Sequence, residues 1–380
     1  MDHRQPGETP AVSSAIDPPR NRLSLGVLGL GEGRSIISAA LSSTRWSLRC
    51  LCDLNEELGR QRCREFGFDR FTTRLDEMLS DESIDVVGIY TPDPLHAKHI
   101  RAALDAGKHV ICTKPLIDNL ADARGLLELQ QRSGKQVFVG QSSRFFKPMI
   151  HQRADFLAGK HGEVFSVEAH YHADNRWFMK RDWARNGGLN WLFGGVSHPA
   201  DLVRWYLPDI DEVMGYGVLT DNGRSLGLVH PDAMHFVCRT RSGKIGRISG
   251  CYSAPYGNHR RDSSITCILR GTLGASHADY SDLRYNTHFS GEGAREYDFE
   301  HLASHYFRFA GKSHHAGEYQ NYLDHFADCV ARDEVPEPDL REGIVTVALL
   351  TAMQRSLESS RPVSVGAILA EHGLSELATD

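Results

Sequence analysis

No stretch of the 380-residue chain strings together the roughly 18 apolar residues that a membrane-spanning helix needs. The N-terminus also lacks the apolar core of a secretory signal. Residues 1–21 are instead rich in Pro, Ser and charge, the composition of a disordered tail. Positive charge is not in excess: 43 Lys and Arg against 49 Asp and Glu leave a net charge of −6. Neither a nucleic acid nor a membrane surface is therefore an expected partner. The eight cysteines show no C-x-x-C spacing, which argues against a zinc ribbon or a dithiol redox motif. Cys50 and Cys52 alternate along an apolar strand and read as structural thiols, in keeping with a reducing cytoplasm. Internal repeats are absent too.

What remains is a composition 41% hydrophobic, enough to bury a large core across about two domains. Leu23 to Leu30 is an apolar run suited to a buried parallel strand. Gly29, Gly31 and Gly33 follow at alternate positions, then a helical pattern from Arg34 to Leu41. Glycine in such a turn lets backbone N–H groups approach a pyrophosphate at a helix N-terminus. The next strand, Trp46 to Cys52, ends in Asp53, 20 residues past Gly33. There a carboxylate accepts hydrogen bonds from an adenosine ribose 2′-OH and repels a 2′-phosphate, so the expected cofactor is NAD rather than NADP.

The alternation continues. Ile84 to Tyr90, His109 to Thr113 and Gln136 to Gly140 read as strands. Leu95 to Ala106 reads as a helix closed by Gly107, and a second helix, capped by Asn119, runs to Ser133 and Gly134. Such repeats give a doubly wound parallel sheet of Rossmann type, with ligands outside the carboxyl ends of its strands. Thr91-Pro92, Thr113-Lys114-Pro115 and Gln141 all fall at such ends. The second half changes character. Glu163 to His172, Met234 to Arg239, Ile245 to Tyr252 and Ser264 to Arg270 read as strands without intervening helices, hence an open, mostly antiparallel sheet with one face free. Arg341 to Glu358 reads as an apolar helix packed back on the first domain.

Gly29-Leu-Gly31, Thr91-Pro92-Asp93, Leu95-His96, Ala106-Gly107-Lys108-His109-Val110 and Lys114-Pro115 resemble the glucose–fructose oxidoreductase, inositol dehydrogenase and MocA family. Arg144-Phe145 with Pro148, Gly187-Gly188 before His198-Pro-Ala-Asp201, and Glu342-Gly343 before the last apolar helix extend the resemblance over about residues 23 to 365. It implies a Rossmann domain (22–147), a substrate-binding and oligomerisation α+β domain (148–380), and NAD-linked redox chemistry on a sugar, cyclitol or related polyol. It also implies a cofactor site including Thr91, Pro92, His96, Thr113, Lys114 and Gln141. Two departures stand out. Thr113 replaces the family's usual Glu before Lys-Pro, and Gly194 stands where an Asp usually precedes the histidine by four residues. Another acid, such as Asp174 or Asp182, would have to reach in, or the chemistry differs from simple alcohol oxidation.

Lys114 and His198 are the expected catalytic residues. The amine's ordinary pKa of ~10.4 must fall by ~3, or about 4 kcal/mol, to make a base at pH 7, and burial beside a positive nicotinamide ring acts in that direction. Arg144, His172, Trp183, His198 and Asp201 are the expected substrate contacts. Asp201 lies one helical turn after His198 and either orients its ring or pairs elsewhere. His170 and His172 share one face of a strand; with no third ligand at a telling spacing, they read as substrate-binding or plain strand residues, and no metal is expected. The aromatic, basic stretch Arg176 to Arg185 is either a lid over a sugar ring or a packed loop. The free sheet face is the expected interface of a homodimer or homotetramer. A redox-neutral enzyme of the same fold with tightly held NAD, and a non-catalytic dinucleotide sensor, are the competing functions.

Overall fold

The computed structural model describes residues 22–181, 184, 189–255, 263–302 and 315–379. The expected tail therefore lies outside the described residues. The first sheet is built from β1 (Leu23–Leu28), β2 (Trp46–Cys52), β3 (Phe71–Thr72), β4 (Val86–Ile89), β5 (His109–Thr113) and β6 (Val137–Gly140). All pairings are parallel and the order is β3-β2-β1-β4-β5-β6. The connecting helices are α1 (Arg34–Ser42), α2 (Glu56–Phe66), α3 (Leu75–Leu79), α4 (His96–Asp105) and α5 (Ala123–Ser133). The order reverses at β1, between β2 and β4, where a doubly wound sheet opens its ligand crevice. The strands carry almost no exposed residue at their centres because helices cover both faces.

Two turn expectations fare differently. Gly107 and Gly134 do close their helices in the left-handed region, at φ 68° and 62°. Asn119 does not cap α5. Its side chain accepts from the N–H of Ala121, closing a local turn, and α5 begins later behind Asp122. The Asx turn competes with the cap and wins.

The second sheet has nine strands, in the order β14-β13-β12-β11-β7-β10-β9-β8-β15. They are β7 (Val164–Ala173), β8 (Ile210–Val218), β9 (Ala233–Thr240), β10 (Ile245–Cys251), β11 (Ser263–Gly271), β12 (Gly274–Asp279), β13 (Arg284–Phe289), β14 (Gly293–Asp298) and β15 (Val363–Ser364). The sheet is antiparallel except between β7 and β10. The helices of this half are α6 (Lys147–Leu157), α7 (Trp191–Gly194), α8 (Ser197–Tyr206), α9 (Asp221–Ser225), α10 (Glu318–Arg332), α11 (Leu340–Ser359) and α12 (Val365–Glu371). α6, α8 and α11 cover one face of the sheet. The other face carries Tyr216, Val218, Val237 and Ile245, all more than half exposed.

The chain then returns to the first sheet. α10 packs on α1, and its Tyr319, Tyr322, Leu323 and Phe326 join the core formed by Leu25, Val27, Ile36 and Phe138. α11 reaches back as expected: the N–H of Val139 donates to the Pro338 carbonyl at 3.0 Å just before the helix starts.

Candidate active site

The Gly-rich turn fits a pyrophosphate. Gly29 has φ 88°, and a Cβ there would meet the Tyr90 carbonyl oxygen at 2.5 Å; one on Gly33 would meet the Gly29 oxygen at 2.4 Å. Nothing lies within 4 Å of a Cβ built on Gly31, so the turn is tight on the protein side and open on the other. The N-cap residue of α1 is Gly33, which has no side chain to cap the helix, and a helix N-terminus opening from such a turn suits a pyrophosphate. Asp53 is pinned at the turn. Its carboxylate accepts from the N–H of Leu30 and of Asn55, both at 2.8 Å. Together these residues suit the pyrophosphate and adenosine ribose of NAD.

His96 is buried and joins two of the expected loops. Its Nδ1 lies 2.8 Å from the Pro115 carbonyl oxygen and its Nε2 2.8 Å from that of Thr91. The expectation of a direct cofactor contact is corrected. Both ring nitrogens are spent inside the protein, and the ring instead staples the loop at the end of β4 to the turn after β5. Thr91 is further tied by its hydroxyl to His99, at 2.9 Å. Gln141, at the end of β6, is 2% exposed, and its Oε1 has no partner among the described residues. A buried acceptor of this kind is suited to a donor from a bound group or a water.

Lys114 leaves β5 beside this crevice and donates from Nζ to the Gly194 carbonyl at the end of α7. Burial lowers its pKa from the ordinary lysine value, partly offset by the charges of Asp93 and Glu32. The position lacking the usual acid thus meets the lysine through its backbone. His198 follows within the first turn of α8; its Nδ1 lies 3.2 Å from the Ser143 hydroxyl, and its ring meets Tyr171 edge-on at 5.7 Å. The short segment from 194 to 198 therefore links the carbonyl that meets Lys114 to His198.

Three other expectations are corrected. Arg144 and Asp201 do not face a substrate. Their side chains are each 1% exposed and form a two-pronged pair, Nε and Nη2 donating at 2.6 and 2.7 Å. Arg144 also donates to Glu342 at 3.1 Å, and Arg204 donates to the same carboxylate at 2.8 Å. Asp201 consequently orients no histidine; its charge is consumed in the seam between α8, α11 and the end of β6. His172 lies on the opposite side of the sheet from His198. It stacks on His170 at 4.5 Å and faces Ser249, while Tyr171, between them, points to His198. Alternation along β7 forces this division. Asp174 does not replace the missing acid either: it is paired with Arg176 at 2.6 Å, which holds its carboxyl below the usual range. Trp183 and Asp182 lie outside the described residues.

Sequence reasoning gave no role to Tyr171 or to the pair formed by Glu32 and Arg181. Burial pushes the Tyr171 phenol up, and its ring also meets Tyr252 edge-on at 5.2 Å. Glu32, inside the Gly-rich turn, forms an ion pair with Arg181 of the other half, whose guanidinium lies over the Phe178 ring at 4.4 Å. The signal available for Tyr171 was its place between two histidines on one strand. For the Glu32–Arg181 pair, 149 residues apart, there was none.

Comparison with known proteins agrees with this architecture. The family described as "Oxidoreductase family, NAD-binding Rossmann fold" matches residues 23–141, and its partner, "Oxidoreductase family, C-terminal alpha/beta domain", matches residues 156–365. A scyllo-inositol 2-dehydrogenase (NAD(+)) of Bacillus subtilis is 25% identical over 93% of this chain and 97% of its own length. A 1-carboxy-3-chloro-3,4-dihydroxycyclo hexa-1,5-diene dehydrogenase of Comamonas testosteroni is 29% identical, but the match spans 47% of this chain and 46% of that protein. A levoglucosan dehydrogenase solved in complex with NADH shares the fold, with a TM-score of 0.78 at 20% identity over 91% of this chain and 99% of that one. With both of its domains matched and the dinucleotide turn intact, the chain belongs to the Gfo/Idh/MocA family of NAD-binding oxidoreductases.

Proposed function

We propose that the protein is an NAD-dependent dehydrogenase or ketoreductase for a hydroxyl or keto carbon of a sugar, cyclitol or related polyol. NAD, when bound, supplies the hydride acceptor or donor. The chain's own part is proton transfer and positioning. In oxidation Lys114 takes the hydroxyl proton at Nζ; in reduction it returns that proton to the ketone oxygen. The observation that carries this reading is the contact of its partly buried amine with a neutral carbonyl, that of Gly194, beside the dinucleotide turn. Burial with a neutral partner eases proton release, which a base at neutral pH requires. His198, held at Nδ1 by Ser143, binds and polarises the substrate oxygen. Gly29, Gly31, Gly33, Asp53, Thr91, Pro92, Thr113 and Gln141 hold the cofactor. The likeness to the inositol and levoglucosan dehydrogenases supports a polyol or sugar as substrate.

The same neutral partner supports a second reading, a redox-neutral enzyme that oxidises transiently and then eliminates, epimerises or cleaves. Mixing the protein and NAD with a panel of polyols and sugars, followed at 340 nm, separates the two. Net NADH accumulates only in the first, and no signal with any polyol or sugar, in either direction, would refute it. We also propose a cytoplasmic homodimer or homotetramer joined through the open sheet face. Tyr216, Val218, Val237 and Ile245, exposed together, support this. A 42.4 kDa monomer by light scattering at micromolar concentration would refute it.

A further inference from the structure

The dinucleotide turn carries an acid at a place suited to a diphosphate. Glu32 stands between Gly31 and Gly33, the residue that leads into α1. The space beside Gly31 is open, so a bound pyrophosphate and the Glu32 carboxylate would share the mouth of the turn. Like charges at such range oppose binding. The other half of the chain supplies the counter-charge. Nη1 of Arg181 donates to Oε1 of Glu32 in an ion pair.

Arg181 is not a loose surface side chain. It follows the short 3-10 helix Arg176–Lys180, and its N–H donates to the Phe178 carbonyl at 3.1 Å. That turn sets its guanidinium over the Phe178 ring at 4.4 Å and over the Trp177 ring at 5.4 Å, a stacking that guanidinium groups favour. Phe178 in turn meets Trp191 at 5.6 Å, and Trp191 stacks on the fully buried Tyr252 at 4.6 Å. Tyr252 meets Tyr171, and Tyr171 meets His198, both edge-on. The platform under Arg181 is thus continuous with the rings around His198.

We propose that Arg181 is a cofactor-binding residue: it neutralises Glu32 and donates to the NAD pyrophosphate, so that both halves of the chain build the phosphate site. The proposal rests on the Gly-rich turn being the pyrophosphate site. One guanidinium serves a carboxylate and a phosphate oxygen together, because its five N–H donors are arranged in a fork. The described part of the aromatic, basic stretch from Arg176 is then a strap over the cofactor rather than a cover for a sugar ring.

Binding tests this without turnover. NAD, and ADP-ribose, which keeps the pyrophosphate and lacks the nicotinamide, are titrated into the full chain by calorimetry. Arg181→Met leaves Glu32 unpaired at the turn. It should weaken both ligands alike by about tenfold or more, the effect of one charge at contact distance near a protein surface. Glu32→Gln/Arg181→Met removes the repulsion along with its counter-charge and should recover much of that loss. Arg181→Lys, which keeps the charge without the fork, should lose less than Arg181→Met. A half-exposed pair contributes little to folding, so melting temperatures without ligand should stay within ~2–4 °C of the parent's and show that the variants are folded. An ADP-ribose affinity within twofold of the parent's in Arg181→Met overturns the proposal, as does a double variant that binds no tighter than Arg181→Met. A parent protein that binds no ADP-ribose would overturn the reading of the Gly-rich turn along with it. The identity of the substrate bears on none of these outcomes.

Discussion

Asp201→Asn discriminates most sharply between a residue of the site and a residue of the frame. Asp201 and Arg144 are each 1% exposed and exchange two charged hydrogen bonds at 2.6 and 2.7 Å. The amide keeps the volume and removes the charge. Arg144 then retains Glu342, at 3.1 Å, which already serves Arg204 at 2.8 Å, and the more distant, half-exposed Glu337 at 3.8 Å. Breaking a buried pair by neutralising one partner costs about 3–5 kcal/mol, because the other charge stays buried and undercompensated. With Glu342 left as a partial counter-ion, the low end applies, about 3 kcal/mol. At ~2–4 °C per kcal/mol for units of this size, the melting temperature should fall by about 6–12 °C. The loss should change little between 50 and 500 mM salt, since buried pairs are poorly screened. Scanning calorimetry measures the fall, and NAD titration by fluorescence should give the parent affinity within about twofold. The Asp201→Asn/Arg144→Met double variant should recover part of the loss, because it removes the stranded guanidinium. A variant that melts within a degree of the parent but binds NAD or the proposed polyol substrate poorly would refute this reasoning. It would return Asp201 to the substrate site, where the sequence alone had put it.

Other outcomes follow from the same geometry. Lys114→Ala should cut single-turnover hydride transfer by ~10²–10⁴-fold with NAD affinity nearly intact, and His198→Ala should cut it less; near-native transfer in Lys114→Ala would show that the proton moves elsewhere. NAD should bind more tightly than NADP, and Asp53→Ser should narrow the gap by removing both the ribose acceptor and the repulsion of a 2′-phosphate; equal affinities in the parent, by titration, would contradict the role of Asp53. Burial raises the Glu342 carboxyl, but Arg144 and Arg204 outweigh it and hold it at about 2 against an ordinary 4.5. A depressed folded pKa contributes stability that is full above about 4.5 and is lost as pH falls through about 2. The gap is worth at most about 3 kcal/mol, and denaturant midpoints measured from pH 6 to 2.5 should fall more steeply for the parent than for Glu342→Gln.

The sequence by itself determined the features that depend on near neighbours along the chain. Apolar runs punctuated by glycine yield β1, β2, β5 and the helices between them, because backbone period and turn geometry are local. The dinucleotide turn was legible for the same reason: Gly29, Gly33 and Asp53 act within one βαβ unit. Lys114 was legible from its place at a strand end. Tertiary structure alone decided which partner each charge and ring would meet. Arg144 and Asp201 look like site residues in a string of letters, and only their convergence with Glu342 from a distant helix makes them a buried clamp. Alternation put His170 and His172 on one face but could not say which face α8 would cover; α8 packs on the other face and brings His198 to Tyr171. The parallel pairing of β7 with β10 and the return of α10 to the first sheet join segments about 80 and 280 residues apart along the chain. No local period encodes such contacts, because they are chosen by how whole apolar faces are buried together.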